Sequence, residues 1–320
     1  MLTYYKPIKT ATEFTLSIDK AVADYKLNGP PALDELVKLL DMLPIRMAVE
    51  VKNWSCFRYA SFRENYTIGF QDRNSFWLGV GLNNTKMERT RVRLEWNPNK
   101  CTHHSAFLAV LAFLNSHTRP LQTSIKRFDL AVDIPVKREN AKLVKDGRVY
   151  SERRHGREWT EYLGPKSSTV GRCKLYNKQV EAKLPYPLTR LEITLDPTTP
   201  FAALPWPNAY YIKRWQIGVE ELSINDTEHY ILSALLAGYG STRYLCRKTR
   251  EKMEKLMAYY VQAITITPHD YAAILFTLNS FLRYPSYDLG LEHIDFDQPP
   301  QPCPLLPDWV QEANNACAGN

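Results

Sequence analysis

The side chains of this chain that could do chemistry together lie in three short alternating segments. "RFDLAVDIPV" (Arg127 to Val136) carries two carboxylates, "RCKLYNKQ" (Arg172 to Gln179) a tyrosine between lysines, and "TRLEITL" (Thr189 to Leu195) an arginine and a glutamate. Alternate residues of a strand share a face. Parity therefore groups Arg127, Asp129, Ala131 and Asp133 opposite Phe128, Leu130, Val132 and Ile134. It groups Lys174, Tyr176 and Lys178 opposite Cys173, Leu175 and Asn177, and Arg190, Glu192 and Thr194 opposite Leu191, Ile193 and Leu195. If the three segments are neighbours in one sheet, a single face collects carboxylates, a tyrosine and four cations. Aspartate and glutamate oxygens suit a hard divalent ion such as Mg²⁺ or Mn²⁺. Such an ion polarises a phosphodiester while a tyrosine hydroxyl attacks phosphorus, and lysine or arginine offsets the charge that builds up.

Spacing ranks the candidates. Asp129 and Asp133 are four residues apart, roughly 13 Å at the usual strand rise, which is too far to share one ion comfortably. Asp129 with Glu192 is therefore the expected metal pair, and Asp133 an alternative or outer ligand. Tyr176 is the expected nucleophile, because parity places it with Lys174 and Lys178; Lys178 would steady phosphate or the phenolate. Tyr150, Tyr162 and Tyr186 are its rivals among 19 tyrosines, and the first two read as packing residues beside turns. The bland reading of the same charges is a solvated outer face, its acids paired laterally with Arg127 or Arg190. Cys101-Thr102-His103-His104 offers no His-hydrophobic-His triplet. As an adjacent pair at a helix start, the two imidazoles are expected to point differently and to be exposed or capping, so an all-carboxylate site is expected instead.

These segments need a sheet to hold them. From about Arg46 to Trp96 apolar and polar residues alternate through "IRMAVEV", "CFRYASF", "YTIGFQ", "SFWLGVGL" and "TRVRLEW", which reads as an antiparallel meander. "NPNK" closes it, and Asn99 or Thr102 can cap a buried helix running to about Ser116. A second β set follows from Ser124 to Leu195. Both sets place an aromatic-Leu-Gly stretch ahead of an Arg-Leu-Glu strand that ends near a proline, as in Phe76 to Pro98 and Glu161 to Pro197. Internal duplication and chance similarity are both open for this pattern. After Pro205-Trp206-Pro207 the pattern turns helical, with starts at Asp226 or Thr227, at Ser241 or Thr242, and at Thr267-Pro268. The expectation is an α+β protein with an antiparallel-sheet catalytic body over residues 1–205, a helical region over 206–284 and an acidic, proline-rich tail over 285–320.

The totals fit a globular chain: 44% of the 320 residues are hydrophobic and 23% charged, enough to bury a sizeable core. Six scattered cysteines form no CxxC or disulfide framework, pointing to a reduced, cytoplasmic setting. "MLTYYKPIKT" lacks the apolar run of a secretory signal, and "AFLAVLAFL" is too short to span a bilayer, so no membrane role is expected. The net charge of +7 is unevenly spread: no lysine or arginine follows Arg283, whereas Asp288, Glu292, Asp295, Asp297, Asp308 and Glu312 do. The body is more basic than the total, which suits a polyanionic partner.

The order "RFDLAVDI", "EYLGPKSS" (Glu161 to Ser168), "CKLYNKQVEAK" (Cys173 to Lys183) and "TRLEITL" resembles the replication initiation factor family, comprising rolling-circle initiators of small plasmids and related relaxases of conjugative elements and phages. About seventy residues carry the resemblance well, and "FWLGVGLN" and "RLEWNPNK" more loosely. It implies nicking of one strand at an origin by a tyrosine that becomes linked to the 5′ phosphate and leaves a 3′ hydroxyl. The family's Tyr-Asn/Asp-Lys motif falls on Tyr176-Asn177-Lys178, and its acidic residues on Asp129, Asp133 and Glu192. Double-strand origin DNA, the nicked single strand, a host helicase and a second copy of the chain are the partners this implies.

Two basic segments could contact DNA besides Lys174 and Arg190. In "STRYLCRKTREKMEKLMAYYV", Arg243, Arg247 and Arg250 recur at spacings of four and three and share a helix face, preceded by a second helix as in a helix-turn-helix. "KRENAKLVKDGRVYSERRHGRE" (Lys137 to Glu158) is the other. The alternative function is a DNA-binding regulator with the same fold and no nicking activity.

Overall fold

Alternating segments set the architecture of the computed structural model, which describes residues 8–9, 14–53, 62–82, 90–156, 158–168, 170–212, 224–236 and 242–282. The first part of the chain contributes β1 (Ile8–Lys9), β2 (Thr15–Leu27), α1 (Pro30–Met47), β3 (Glu50–Asn53), β4 (Phe62–Gly69), β5 (Ser75–Leu82) and β6 (Arg91–Trp96). Two helices, α2 (Pro98–Cys101) and α3 (Ser105–Ser116), lead to the long strand β7 (Thr118–Ile134). Next come β8 (Ala141–Leu143), β9 (Tyr150–His155), β10 (Glu158–Leu163), β11 (Cys173–Asn177), the single turn α4 (Lys178–Glu181) and β12 (Thr189–Leu195). The remainder is β13 (Ala209–Ile212), α5 (Asp226–Leu236), α6 (Arg247–Tyr260), β14 (Val261–Ala263) and α7 (Pro268–Leu282). The proposed tail over 285–320 lies outside the described residues.

The protein is α+β, as expected. Eleven strands form one antiparallel sheet in the order β3-β4-β5-β6-β2-β7-β12-β11-β10-β9, with β1 also on β2; β14-β13-β8 form a second, small sheet. The order repeats. β2 to β6 stand as 3-4-5-6-2, and β7, β9, β10, β11 and β12 stand as 9-10-11-12-7, so each half lays its last strand beside its first. Duplication therefore accounts for the repeated motif better than chance does, with one correction. The two Arg-Leu-Glu strands, β6 and β12, are equivalent, but "FWLG" lies on β5 and "EYLG" at the end of β10, the counterpart of β4 in the other half.

The chain divides into two compact units, Ala23–Ser124 with the segment from Asn279, and Pro7–Val22 with Ile125–Leu278; β2 and β7 each contribute to both. In the first unit α1 packs against α3. Helix α1 begins with Pro30 and Pro31, where the missing N–H groups cost nothing, and buries Ala32, Leu36, Leu39, Leu40 and Leu43 at helical spacing. Phe107 of α3 is fully buried and meets Phe76 and Trp96 from the sheet at ring separations of 5.4 and 6.0 Å. In the second unit Phe128 on β7 packs on Tyr271 of α7 at 6.2 Å, beside Phe201 and Trp206. A smaller cluster of Ile212, Leu232, Leu235, Leu236, Met253 and Tyr260 holds α5 and α6 to β13.

Two helix starts differ from expectation. The helix expected from Asn99 or Thr102 is two. Asn97 caps α2 through its side chain, Thr102 turns its hydroxyl back onto the Pro98 carbonyl at 2.7 Å, and α3 starts afresh at Ser105 with His104 at its N-cap. The helix expected from Ser241 or Thr242 begins at Arg247, after a 3-10 turn over Thr242–Tyr244. No described helix is long and apolar enough to cross a membrane.

Candidate functional site

In the second unit β7, β12 and β11 are successive neighbours. Asp133 pairs with Arg190 and Asp129 with Thr194 across β7 and β12, while Arg190 faces Tyr176 and Glu192 faces Lys174 across β12 and β11. Leu130, Val132, Ile134, Leu175, Leu191, Ile193 and Leu195 fill the opposite face and are buried. One face therefore gathers Tyr176, Lys174, Glu192, Arg190, Asp133 and Asp129.

The tyrosine is held by the glutamate. Its hydroxyl donates to Glu192 Oε1 at 2.5 Å, and Lys174 Nζ donates to Oε2 at 3.3 Å. Lys174 Nζ also lies 3.9 Å from the centre of the Tyr176 ring, where its charge meets the negative π-face. Lys178 Nζ is 5.8 Å from that centre and is paired with Glu181. Tyr176 is only 5% exposed, and burial, reinforced by the Glu192 charge and hydrogen bond, pushes its pKa well above the ordinary phenol value. The Glu192 carboxyl is raised too, first by burial and then by the charge of Asp19, against the pull of Lys174.

Arg190 closes the other side. Its Nε and Nη2 donate to Asp133 Oδ1 and Oδ2 at 2.6 and 2.7 Å, and its Nη1 donates to Asp19 Oδ1 at 2.8 Å. Both Asp133 oxygens are thus occupied by a bidentate guanidinium. Asp19, on β2, is the site residue that sequence reasoning missed. Its signal was present, since "LSIDKAVADY" carries acids among alternating apolar residues as "RFDLAVDI" does.

Asp129 is hydrogen-bonded to Thr194, and its pKa is raised, chiefly by burial, with Asp19 acting in the same direction. The Asp129 and Glu192 carboxyls are both raised chiefly by burial, and both feel the charge of Asp19 in the same direction. All-oxygen ligands of this kind are those a hard divalent cation takes. Among the described residues, however, Asp129, Glu192 and Asp19 do not form a group whose ligand atoms all lie within 4.8 Å of one another, so the expected all-carboxylate cluster is not assembled here.

The first half of the sheet shows the same frame without the tyrosine. Arg93 on β6 donates to both oxygens of Asp24 on β2 at 2.6 and 2.9 Å, as Arg190 does to Asp133. Glu95 follows Arg93 as Glu192 follows Arg190. In register, Gly79 faces Arg93 and Trp77 faces Glu95, so Gly79 stands where Tyr176 does and Trp77 where Lys174 does. A Cβ on Gly79 would lie 2.4 Å from Trp77 Cη2 and 2.7 Å from Phe62 Cγ. Indole and phenyl rings occupy the room a tyrosine would need.

The remaining candidates lie apart from this group. Tyr150 donates to Glu161 at 2.7 Å and to Glu152 at 3.2 Å, and Tyr186 is exposed. Arg138, in the basic Lys137 to Glu158 segment, is buried between Glu161 and the Trp159 ring. On α6, Arg250 donates to the carbonyls of Thr242, Arg243 and Leu245, closing the turn before the helix, whereas Arg247 is exposed and pairs with Glu251. Arg243 stacks on Tyr244.

The histidines require a correction. His103 and His104 do not point apart: both Nε2 atoms face Asp72. Among the described residues, Asp72, His103 and His104 are the three potential ligands whose donor atoms all lie within 4.8 Å of one another.

No family model and no curated protein matches this chain. Among solved structures, it is similar to a rolling circle replication initiator protein from Geobacillus stearothermophilus, at 13% identity over 86% of this chain and 98% of that one, with a TM-score of 0.37.

Proposed function

We propose that the protein is a DNA strand-transfer enzyme that nicks one strand at a replication or transfer origin, with Tyr176 as nucleophile. The observation that carries this reading is the Tyr176 hydroxyl donating to Glu192 Oε1 at 2.5 Å on a sheet face that also holds Lys174, Arg190, Asp129 and Asp19. A tyrosine hydrogen-bonded to a carboxylate of raised pKa has its proton acceptor in place. The Tyr-Asn-Lys and Arg-Leu-Glu motifs, in the order the initiator family uses, support the same chemistry.

In the proposed reaction the phenolic proton passes to Glu192 as the tyrosine oxygen forms its bond to phosphorus. The bond from phosphorus to the 3′ oxygen breaks, and that oxygen leaves as a hydroxyl after taking a proton from solvent. The products are a 5′-phosphotyrosine and a free 3′ end. Lys174, against the ring, and Lys178 bind the phosphate. Arg190 fixes the frame through Asp133 and Asp19. Asp129 and Glu192, with Asp19 beside them, would hold Mg²⁺ or Mn²⁺, which supplies Lewis-acid polarisation of the phosphate. Exposed Arg247, with Arg243, contributes to DNA contact, which rests on counterion release and falls with salt.

The test is supercoiled plasmid carrying the element's own origin, incubated with Mn²⁺ and analysed on denaturing gels, wild type beside Tyr176→Phe. The expected result is a nick and a covalent adduct, both lost in the variant and on chelation. An adduct that survives in Tyr176→Phe moves the chemistry to another tyrosine. Tight, salt-sensitive binding without a nick favours the regulator, a reading that the burial of the Tyr176 hydroxyl supports.

A further inference from the structure

Asp72 sits in the tight turn between β4 and β5. Phe70 N bonds to Asn74 O at 2.8 Å, Arg73 N bonds to Phe70 O at 3.1 Å, and Arg73 adopts a left-handed conformation (φ 66°). The carboxylate is fixed by its own turn: Asn74 N donates to Oδ1 at 3.0 Å and Asn74 Nδ2 to Oδ2 at 2.7 Å. His103 and His104 occupy the break between α2 and α3, which the Thr102 hydroxyl and the bond from His104 N to Cys101 O (3.0 Å) hold in place. The His104 ring is also clamped from the sheet side. It stacks on Phe70 at 3.7 Å between ring centres with the planes 9° apart.

These constraints aim two imidazoles at one atom. His104 Nε2 is 3.1 Å and His103 Nε2 3.7 Å from Asp72 Oδ2, and the two rings lie 4.1 Å apart. A first-row divalent cation bound at about 2.0–2.2 Å by nitrogen and oxygen brings neighbouring ligand atoms to roughly 3–3.6 Å of one another. The two nitrogens already stand near that range from the carboxylate oxygen, on a preformed scaffold. Two imidazoles and one carboxylate suit borderline ions such as Zn²⁺ or Co²⁺, not Mg²⁺.

We propose that Asp72, His103 and His104 form a binding site for one borderline divalent cation of the Zn²⁺ class, with water completing its shell, which clips the β4–β5 turn to the start of α3. The site is separate in chemistry from the sheet carboxylates. It does not depend on the role of Tyr176.

The test is calorimetric titration of the chelator-treated full-length chain with Zn²⁺, and with Co²⁺ followed by visible absorption, together with thermal melts in each metal. Variants are His103→Ala, in which a partly exposed side chain is removed, Asp72→Asn, which keeps the shape of the turn, and Asp129→Asn. Wild type is expected to bind Zn²⁺ with one equivalent that Asp129→Asn retains, and both to melt higher with Zn²⁺, since a ligand for the native state stabilises it. His103→Ala and Asp72→Asn should bind at least about tenfold more weakly, as losing a direct ligand costs no less than losing a residue behind one. Unchanged Zn²⁺ affinity in His103→Ala overturns the proposal, as does wild-type protein that binds no Zn²⁺ or a loss confined to Asp129→Asn.

Discussion

Arg190→Met probes the frame behind the tyrosine most directly. Arg190 is 7% exposed and its guanidinium makes three hydrogen bonds, two to Asp133 and one to Asp19. Deleting one partner of a buried ion pair costs about 3–5 kcal/mol, because the other charge stays desolvated and unpaired. Here the stranded carboxylates retain some water, 17% exposure for Asp133 and 25% for Asp19, so the lower end, about 3 kcal/mol, applies. In a unit of this size each kcal/mol moves the melting temperature by about 2–4 °C, giving a fall of roughly 6–12 °C. The assay is thermal denaturation at neutral pH of wild type, Arg190→Met, Arg190→Lys and Asp133→Asn, with the double variant Arg190→Met/Asp133→Asn. Lysine keeps the charge but not the planar fork, and should fall between the others. Once Asp133 is neutral the cost of losing Arg190 should shrink by roughly 1–3 kcal/mol. A melting temperature for Arg190→Met within about 2 °C of wild type would refute the reasoning and place the pair among screened surface pairs, worth at most about 1 kcal/mol.

Asp129 and Glu192 have folded-state pKa values raised by burial, so they favour folding below their unfolded values and lose that contribution as pH rises through the folded ones. Asp129→Asn should accordingly raise the neutral-pH melting temperature in metal-free buffer, with the gain vanishing at acid pH; a gain that persists there rules out the buried charge as its source. The proposed proton transfer needs ionised Glu192. Nicking should therefore rise with pH through the raised carboxyl pKa, and Glu192→Gln should flatten the profile and lower the rate by about 10²–10⁴-fold, measured by single-turnover adduct formation. Gly79→Ala, which drives a methyl into Trp77 and Phe62, should cost about 1–3 kcal/mol by urea denaturation. A silent Gly79→Ala would mean that the rings do not fill the tyrosine-equivalent space. Exposed Arg247→Ala should lower the slope of log affinity against log salt by about one on any DNA; a sequence-selective loss would instead indicate base reading.

The faces of β7, β11 and β12 are legible in the sequence, because a period of two assigns each side chain to a side whatever strand lies next to it. Asp133 shows where that ends. Its sequence context leaves it open between metal ligand and lateral partner of an arginine, and only the register that sets Arg190 opposite it shows both oxygens taken. The alternation around Asp19 is legible, but its place in the site is not, because that depends on β2 joining the sheet more than a hundred residues before Arg190. The histidine pair departs from expectation because the helix that carries it is not continuous. The break at Thr102 and the β4–β5 turn together turn both rings toward Asp72.

By itself, then, the sequence determined the α+β class, the segments that become strands, and their core and outward faces. Local sterics and hydrophobic periodicity are sufficient for these. Tertiary structure decided which strands are neighbours, that the two halves repeat one topology, that Glu192 receives the tyrosine hydroxyl, and that Gly79 and Trp77 stand in the first half where Tyr176 and Lys174 stand in the second. Strand pairing is non-local: its register is chosen by the shared burial of apolar faces from distant segments, and no short window of residues contains it.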